Sequence, residues 1–156
     1  MVNDTNDQFQ MTSDEPSSHE TRHDEPGPSR SERGFDLGER TERFADDVIR
    51  FARTVPLDVV TVPLVGQLVK AGTSVGANYC EADEAGSKKE FRYRISVCRR
   101  ESRESKYWLR KVAVALQTLP RDLDAVIAQA RVLWKEADEL NRIFATIHRR
   151  SDRPSH

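Results

Sequence analysis

The sequence predicts an all-α protein, an up-down-up-down antiparallel four-helix bundle. Apolar residues recur every three or four positions through four long segments, which is the period of a helix with one buried face. Short connections containing proline or glycine separate these segments, so consecutive helices should run in opposite directions. No stretch shows the strict alternation of apolar and polar residues that is typical of a half-buried β-strand.

The first predicted helix runs from about Asp36 to Thr54. The Asp36 carboxylate suits the residue before a helix, because it can accept a hydrogen bond from an N–H of the first turn. Val55 and Pro56 should end the helix, since a residue before proline is pushed out of the helical region. The apolar stripe consists of Leu37, Phe44, Val48, Phe51 and Val55, broadened by Ala45, Ile49 and Ala52.

The second predicted helix begins near Pro63, since proline is favoured in a first helical turn. It contains Gly66, Gly72 and Gly76, each of which weakens an isolated helix by about 1 kcal/mol relative to alanine. We therefore expect this helix to pack very closely against a neighbour. A phosphate-binding loop fits less well, because no glycine is followed by the required Lys-Ser/Thr pair. The stripe consists of Leu64, Leu68, Ala71, Val75, Asn78 and Ala82.

The third predicted helix is the longest, from Ser87 to Leu119, and follows a short turn at residues 83–86. Ser87 and Glu90 have the spacing of a capping box, in which each side chain bonds to the backbone near the other. Its apolar seam passes through two serines, Ser102 and Ser105, where we expect another backbone to approach closely. The whole seam is Phe91, Ile95, Cys98, Ser102, Ser105, Leu109, Val112, Leu116 and Leu119.

The fourth predicted helix runs from about Asp122 to Arg150, after a turn at residues 119–122. Its last turn is basic, which suits the negative end of the helix dipole. Residues 151–156 are predicted to be a disordered C-terminus. The inward residues are Leu123, Val126, Ile127, Ala130, Leu133, Trp134, Ala137, Leu140, Ile143, Phe144 and Ile147.

Charge is distributed unevenly along the chain. Residues 1–34 contain three arginines against eight acidic residues and few large apolar ones, so we predict a disordered acidic tail. The tail is either an uninvolved extension, which we prefer, or a competitor for ligands of a basic surface. Residues 35–150 are predicted to form the bundle. Residues 88–111 contain ten basic and three acidic residues. Their net charge of +7 favours an anionic partner.

The same sequence favours a cytoplasmic protein. No apolar run approaches the ~20 residues that a membrane span requires, and the N-terminus lacks the apolar core of a secretory signal. Cys80 and Cys98 are then expected to be reduced thiols with packing roles.

A basic row on the third helix, away from the apolar seam, is the candidate nucleic-acid-binding site. Its members are Arg92, Arg99, Arg103, Lys106 and Arg110. Such a row can bind phosphates, although a solvated helix face is the alternative. Nearby aromatic residues could stack on bases, but we prefer burial in the core or an interface, as is usual for large aromatic side chains. These residues are Tyr93, Tyr107, Trp108 and Trp134.

Acidic residues on three helices raise the possibility of a carboxylate metal site: Glu81, Glu101, Glu104, Glu136 and Glu139. Di-iron sites in four-helix bundles also need a Glu-x-x-His element on two helices, and no histidine occurs between His23 and His148. We therefore expect these glutamates to pair with arginines, and we expect no metal or other cofactor. The motifs of nucleophilic catalysis are also missing, so a non-enzymatic protein is predicted.

Four segments together resemble a known family. They are QLVKAGTSVGANYCEA from Gln67 to Ala82, SKKEF from Ser87, ESRESKYWL from Glu101 and EADEL from Glu136. In this order they are similar to motifs of the four-helix-bundle proteins first known as 23S ribosomal-RNA intervening-sequence proteins. The resemblance covers roughly residues 35–150 and leaves out the acidic tail.

This resemblance implies an antiparallel bundle that assembles as a homopentamer and has no established enzymatic activity. It also implies kinship with the accessory variability protein of diversity-generating retroelements, a basic pentamer that binds nucleic acid and a reverse transcriptase. We expect an oligomeric scaffold that binds RNA or DNA phosphates without reading sequence. The alternative is an adaptor for a reverse transcriptase or another protein. Structural or subunit-contact roles are expected for Asn78, Glu81, Glu101, Glu104, Tyr107 and Trp108.

Overall fold

The structure, a computed structural model, describes residues 36–152. The predicted acidic tail and residues 153–156 of the predicted C-terminal segment lie outside this range. The four helices are α1 (Leu37–Thr54), α2 (Thr61–Asp83), α3 (Lys88–Gln117) and α4 (Asp124–Ser151). Each helix packs against two others, in the order α1, α2, α3, α4 and back to α1. The described residues contain no strand, and the prediction of an all-α four-helix bundle is confirmed.

The helix ends follow the local sequence signals. Asp36 Oδ1 accepts a hydrogen bond from the Gly38 N–H at 2.9 Å, and Val55 ends α1 in an extended conformation. At the start of α3, Ser87 Oγ accepts from the Glu90 N–H at 3.1 Å. The Glu90 carboxylate accepts in return from the Gly86 N–H, one residue earlier than in a standard capping box. Both predicted caps are confirmed.

Helix α2 begins at Thr61, two residues before the predicted start at Pro63. The reason is Asp58, whose Oδ1 accepts hydrogen bonds from the N–H groups of Val60 and Thr61, both at 2.8 Å. The hydrogen bonds from the Thr61 and Val60 N–H groups lower the pKa of Asp58. Pro63 is tolerated as the third helical residue, because the first four N–H groups of a helix have no partner within it.

The core lies between the four helices and is rich in phenylalanine and leucine. The predicted seam of α3 is confirmed: its seven central residues are buried, while Phe91 and Leu119 are half-buried near the helix ends. The two seam serines are fully buried and donate hydrogen bonds to carbonyl groups of α3 itself. Asn141 of α4 donates to the Arg99 carbonyl at 2.8 Å, so a second helix does approach α3 at this level.

The glycines of α2 divide into two kinds. A Cβ on Gly72 would lie 2.9 Å from both methyl groups of Val48, and one on Gly76 would lie 3.4 Å from the Thr41 carbonyl oxygen. Close packing against α1 is confirmed at these two positions. It is wrong for Gly66, which has nothing within 4 Å. Six residues at 100° each place Gly66 about 240° around the helix from Gly72, on a different face.

The two cysteines lie in different environments. Cys98 is fully buried and its thiol donates a hydrogen bond to the Val75 carbonyl at 3.6 Å. Burial raises the pKa of the Cys98 thiol to about 12. Cys80 is exposed on α2. Between residues 36 and 152, none of the helices combines the length and the apolar character needed to cross a membrane.

Candidate nucleic-acid interface

The predicted basic row lies where α3 meets α4, along a surface that we call the α3–α4 seam. The two helices run in opposite directions, so contacts at increasing residue numbers on α3 involve decreasing residue numbers on α4. The first pairs Arg92 with Asp152, the second Lys106 with Asp138 and the third Arg110 with Trp134. The row is therefore bordered by specific residues of α4 that only the folded chain brings near it.

Two members of the row are neutralised by carboxylates of α4. Arg92 forms an ion pair with Asp152, and Lys106 Nζ lies 2.5 Å from Asp138 Oδ1. Asp138 also binds Arg142 at 2.8 Å, and its hydrogen bond with Lys106 lowers the pKa of this carboxyl group. The sequence predicted an unbroken cationic row, whereas the structure interrupts it at two of five positions.

The middle of the row is open. Arg99 and Arg103 are exposed, and neither forms an ion pair with a carboxylate of residues 36–152. Together with Arg100, they border a shallow depression of about 350 Å³ between α3 and α4, which we call the arginine depression. The remaining lining residues are Ser96 and Lys106 of α3 and Asn141 and His148 of α4. Arg100 has a loose ion pair, 3.6 Å from Glu101.

Four residues of the arginine depression were not predicted from the sequence: Ser96, Arg100, Asn141 and His148. His148 lies in the basic last turn of α4, which suits the helix dipole. Asn141 and His148 are seven residues apart, so two helical turns place them on the same face of α4. That spacing was visible in the sequence, but only the packing of α4 shows that this face borders α3.

The last member of the row contacts an aromatic ring. The Arg110 guanidinium carbon lies 4.9 Å from the centre of the Trp134 ring, and Lys106 Nζ lies at the same distance from it. Such cation–π contacts hold a cation in place without neutralising it. Beside them is a groove of about 530 Å³ between α3 and α4, which we call the apolar groove. Its floor consists of Leu109, Ala113, Val114, Ala130 and Trp134.

Asn78 and Glu81 lie on α2, which packs against the side of α3 opposite the α3–α4 seam. Arg94 of α3 forms an ion pair with Glu81 and donates a hydrogen bond to Asn78 Oδ1 at 3.3 Å. Asn78 in turn donates to the Ser74 carbonyl at 2.9 Å. The expected pairing of Glu81 with the third helix is confirmed, and the contact ties α2 to α3.

The other residues assigned to structural or subunit contacts differ in exposure. Glu101 is half-buried, and this burial raises the pKa of its carboxyl group, whereas Glu104 is exposed. Trp108 packs against the core and meets the Tyr107 ring edge-on, with centres 4.9 Å apart. Tyr107 and Tyr93 remain 53% and 59% exposed, so they do not belong to the core of one protomer. Their place in a subunit contact stays a prediction.

Arg40 of α1, which the sequence did not single out, binds the glutamates of α4. Its Nε lies 2.6 Å from Glu136 Oε1 and its Nη2 lies 2.9 Å from Glu136 Oε2, and Nη2 also pairs with Glu139. The hydrogen bond with Glu136 raises the pKa of Arg40 above its ordinary value. Two carboxylates considered as metal ligands are thus paired with arginine. Across residues 36–152, no group of three or more His, Cys, Asp or Glu side chains could hold a metal ion.

These features define a class of small helical-bundle proteins with a cationic seam between the last two helices. The family model described as 23S rRNA-intervening sequence protein matches residues 35–144, and the chain belongs to this family. The resemblance found in the sequence is thereby confirmed. A comparison with curated proteins gives no match.

A solved structure shares the fold. It is the crystal structure of a protein with unknown function from the S23 ribosomal protein family of Bacteroides thetaiotaomicron. The two chains are 21% identical, with a TM-score of 0.57, and the match covers 72% of this chain and 98% of the other. At this level of identity the likeness supports the helical architecture alone.

Proposed function

We propose that this protein is a non-enzymatic helical scaffold that binds the backbone of RNA or DNA through the α3–α4 seam, without reading sequence. The observation that carries the proposal is the arginine depression, where Arg99 and Arg103 are exposed and have no carboxylate partner among residues 36–152. A planar guanidinium group can donate two parallel hydrogen bonds to a phosphate. The net charge of +7 over residues 88–111 would attract such a polyanion from a distance.

The scaffold is proposed to be a homopentamer, as the family resemblance implies, and to act in the cytoplasm. Repeating a weak phosphate-binding seam on several subunits would raise the overall affinity, because contacts after the first become intramolecular. Light scattering at micromolar concentration is expected to give a mass of about five protomers. A mass of one protomer under these conditions would remove the pentamer from the proposal and leave the seam to be tested separately.

Backbone binding is tested by fluorescence anisotropy with labelled single-stranded and duplex oligonucleotides at low salt. Changing Arg99, Arg103 and Arg110 together to alanine should weaken binding about tenfold or more for all sequences alike. It should also lower the slope of log affinity against log salt by ~2–3, because each phosphate contact releases about one counterion.

The matched control removes the same number of charges elsewhere. Arg43, Arg50 and Arg53 lie on α1, and changing all three to alanine should leave affinity within about threefold of the original. An equal loss in both variants would show that net charge, rather than the seam, governs binding. Dissociation constants above tens of micromolar for every oligonucleotide would contradict the proposed function outright.

A protein-interaction adaptor is the second candidate, and a different surface favours it. The connection from α1 to α2 and the first turn of α2 expose four aliphatic side chains: Leu57 at 67%, Val59 at 90%, Val60 at 54% and Val62 at 54%. Contiguous apolar exposure of this kind marks interaction surfaces. A partner that co-purifies after nuclease treatment, and is lost when Val59 and Val60 are changed to serine, would support the adaptor.

A further inference from the structure

The apolar groove has a cationic rim. Its rim consists of Arg110 and Lys111 on α3 and of Arg131 and Lys135 on α4, and no carboxylate lines it. The floor and the rim together suit a ligand with an apolar, flat body and negative charges at its edges. This combination differs from the arginine depression, which offers cationic and polar groups without an apolar floor.

Arg110 is held so that its planar cation is accessible. The guanidinium carbon lies above the Trp134 ring at 4.9 Å from its centre, and the side chain is exposed. Arg110 makes no ion pair with a carboxylate in the described part of the chain. Nucleobases stack on guanidinium planes as they do on aromatic rings. Arg110 therefore presents an exposed guanidinium group beside the groove, in contact with the Trp134 ring.

The groove lies within reach of a strand bound in the arginine depression. Arg103 and Arg110 are seven residues apart, which is about 10.5 Å along α3. Stacked nucleotides advance about 3.4 Å each along one strand. A phosphate near Arg103 would thus be followed by a base near Arg110 about three nucleotides later. In a duplex the faces of the bases are already stacked, so only an unpaired base could enter.

We propose that the apolar groove seats an unpaired nucleobase stacked on Arg110, which makes single-stranded nucleic acid the ligand of the seam. This inference rests on the proposed function and specifies its ligand. An acidic amphipathic helix would also be attracted by the rim, and its binding is an outcome of the test below. The nucleobase is favoured because Arg110, which contacts the Trp134 ring, places a planar cation at the groove on which a base can stack.

The test compares the affinity for an oligonucleotide that carries bases with the affinity for one that has the same phosphates and no bases. Anisotropy is measured on the full chain with three labelled probes: a thymidine 12-mer, an abasic 12-mer with the same phosphates, and a 12-base-pair duplex. The original protein should bind the thymidine 12-mer about tenfold more tightly than the abasic one, since base stacking adds to the phosphate contacts.

A variant of Arg110 that keeps the positive charge isolates the contribution of base stacking to affinity. Arg110→Lys keeps the positive charge but loses the plane, so affinity for the thymidine 12-mer should fall about tenfold, to that of the abasic probe. Its affinity for the abasic probe and the duplex should stay within about twofold. Arg43→Lys on α1, outside the seam, is the matched control, and all three affinities should remain within about twofold. Both side chains are exposed, and thermal melts would verify that the variants fold.

Each outcome decides the inference. Equal affinity of the original protein for thymidine and abasic probes would overturn it while leaving backbone binding intact, as would equal behaviour of Arg110→Lys and Arg43→Lys. Failure of every probe to bind would remove the proposed function as well. Binding of a polyglutamate peptide that Arg110→Lys weakens, without binding of any oligonucleotide, would make the groove a protein-docking site and overturn the inference.

Discussion

Helix α4 borders two grooves that differ in whether their arginines are paired with carboxylates. Toward α1, a groove of about 670 Å³ contains Arg40, whose guanidinium is bound by Glu136 and Glu139. Toward α3, the seam leaves the guanidinium groups of Arg99 and Arg103 without a carboxylate among residues 36–152. Arg40 in the first groove joins two helices of the chain, whereas Arg99 and Arg103 in the second remain available to a partner.

The difference comes from how α4 distributes its side chains. Lys135 and Glu136 are adjacent in sequence but about 100° apart around the helix. Glu136 reaches Arg40, whereas Lys135 also borders the groove toward α3. Unmatched cations on one face repel each other and raise the local potential, which an external anion would relieve. The contrast between the two sides of α4 is thus a structural argument for where a ligand binds.

The largest effect is expected from Arg40→Ala, which removes the pairing on the α1 side. Glu136 and Glu139 would lose their partner while Glu136 stays half-buried, so the free energy of unfolding should fall by about 2 kcal/mol. Urea denaturation would measure it. Nucleic-acid affinity should change little, because the α3–α4 seam is untouched.

Arg43 provides the control for this change. It borders the same groove and is exposed, with no ion pair to a carboxylate in the described residues. Arg43→Ala should therefore change the free energy of unfolding by less than about 0.5 kcal/mol. Equal losses in Arg40→Ala and Arg43→Ala would show that the ion pairs with α4 do not hold α1 in place.

A smaller effect on stability is expected from Asp138→Asn, which makes the α3 side still more cationic. Lys106 and Arg142 would lose their carboxylate, and affinity for a polyanion at low salt should rise about threefold. Lys106 lowers the pKa of Asp138 in the folded state, so its stabilising contribution is fully present above the ordinary value of 3.8 and is lost as the pH falls below it.

Stability curves for Asp138→Asn and the original protein should accordingly diverge at neutral pH and converge in acid. Thermal melts at pH 7 and at pH 3 would test this, with anisotropy at pH 7 for the affinity. An affinity that falls rather than rises would mean that Asp138 takes part in ligand binding, and the interpretation of the interrupted row would then be wrong.

The smallest effect on stability is expected from Glu101→Gln in the middle of α3. Burial raises the pKa of Glu101, so its ionised form is disfavoured in the folded state. The free energy of unfolding at pH 7 should therefore rise in the variant, by no more than about 0.5 kcal/mol. The gain should disappear below the ordinary pKa of 4.5, where both states are protonated. A loss of stability at pH 7 would indicate that the 3.6 Å pair with Arg100 matters more than desolvation.

The helices could be predicted because their signals are local. Caps at Asp36 and Ser87 depend on residues two or three positions away, and the seam of α3 depends on a three-four spacing. The start of α2 was misplaced because Asp58 caps it from a connection that has no apolar pattern. Gly66 was misjudged because composition alone does not tell which side of a helix faces a neighbour.

The candidate site was only half predictable. Its arginines on α3 share one face by spacing alone, which the sequence shows. Neutralisation by Asp138 and Asp152, and the ring of Trp134 beneath Arg110, depend on the register between α3 and α4. Register is set by packing over many residues far apart in the chain, so no local pattern specifies it. The Arg40 contact with α4 spans 96 residues and is inaccessible to sequence reasoning for the same reason.

The contrast between Cys80 and Cys98 has a practical consequence. Cys80 is exposed, whereas Cys98 is buried and has a pKa of about 12. Alkylating reagents at pH 7 should therefore modify Cys80 and spare Cys98. Cys80 lies on α2, outside the α3–α4 seam. The unmodified chain can therefore carry one maleimide dye or spin label at a defined address, and subunit spacing or ligand-induced motion can be measured without engineering a single residue.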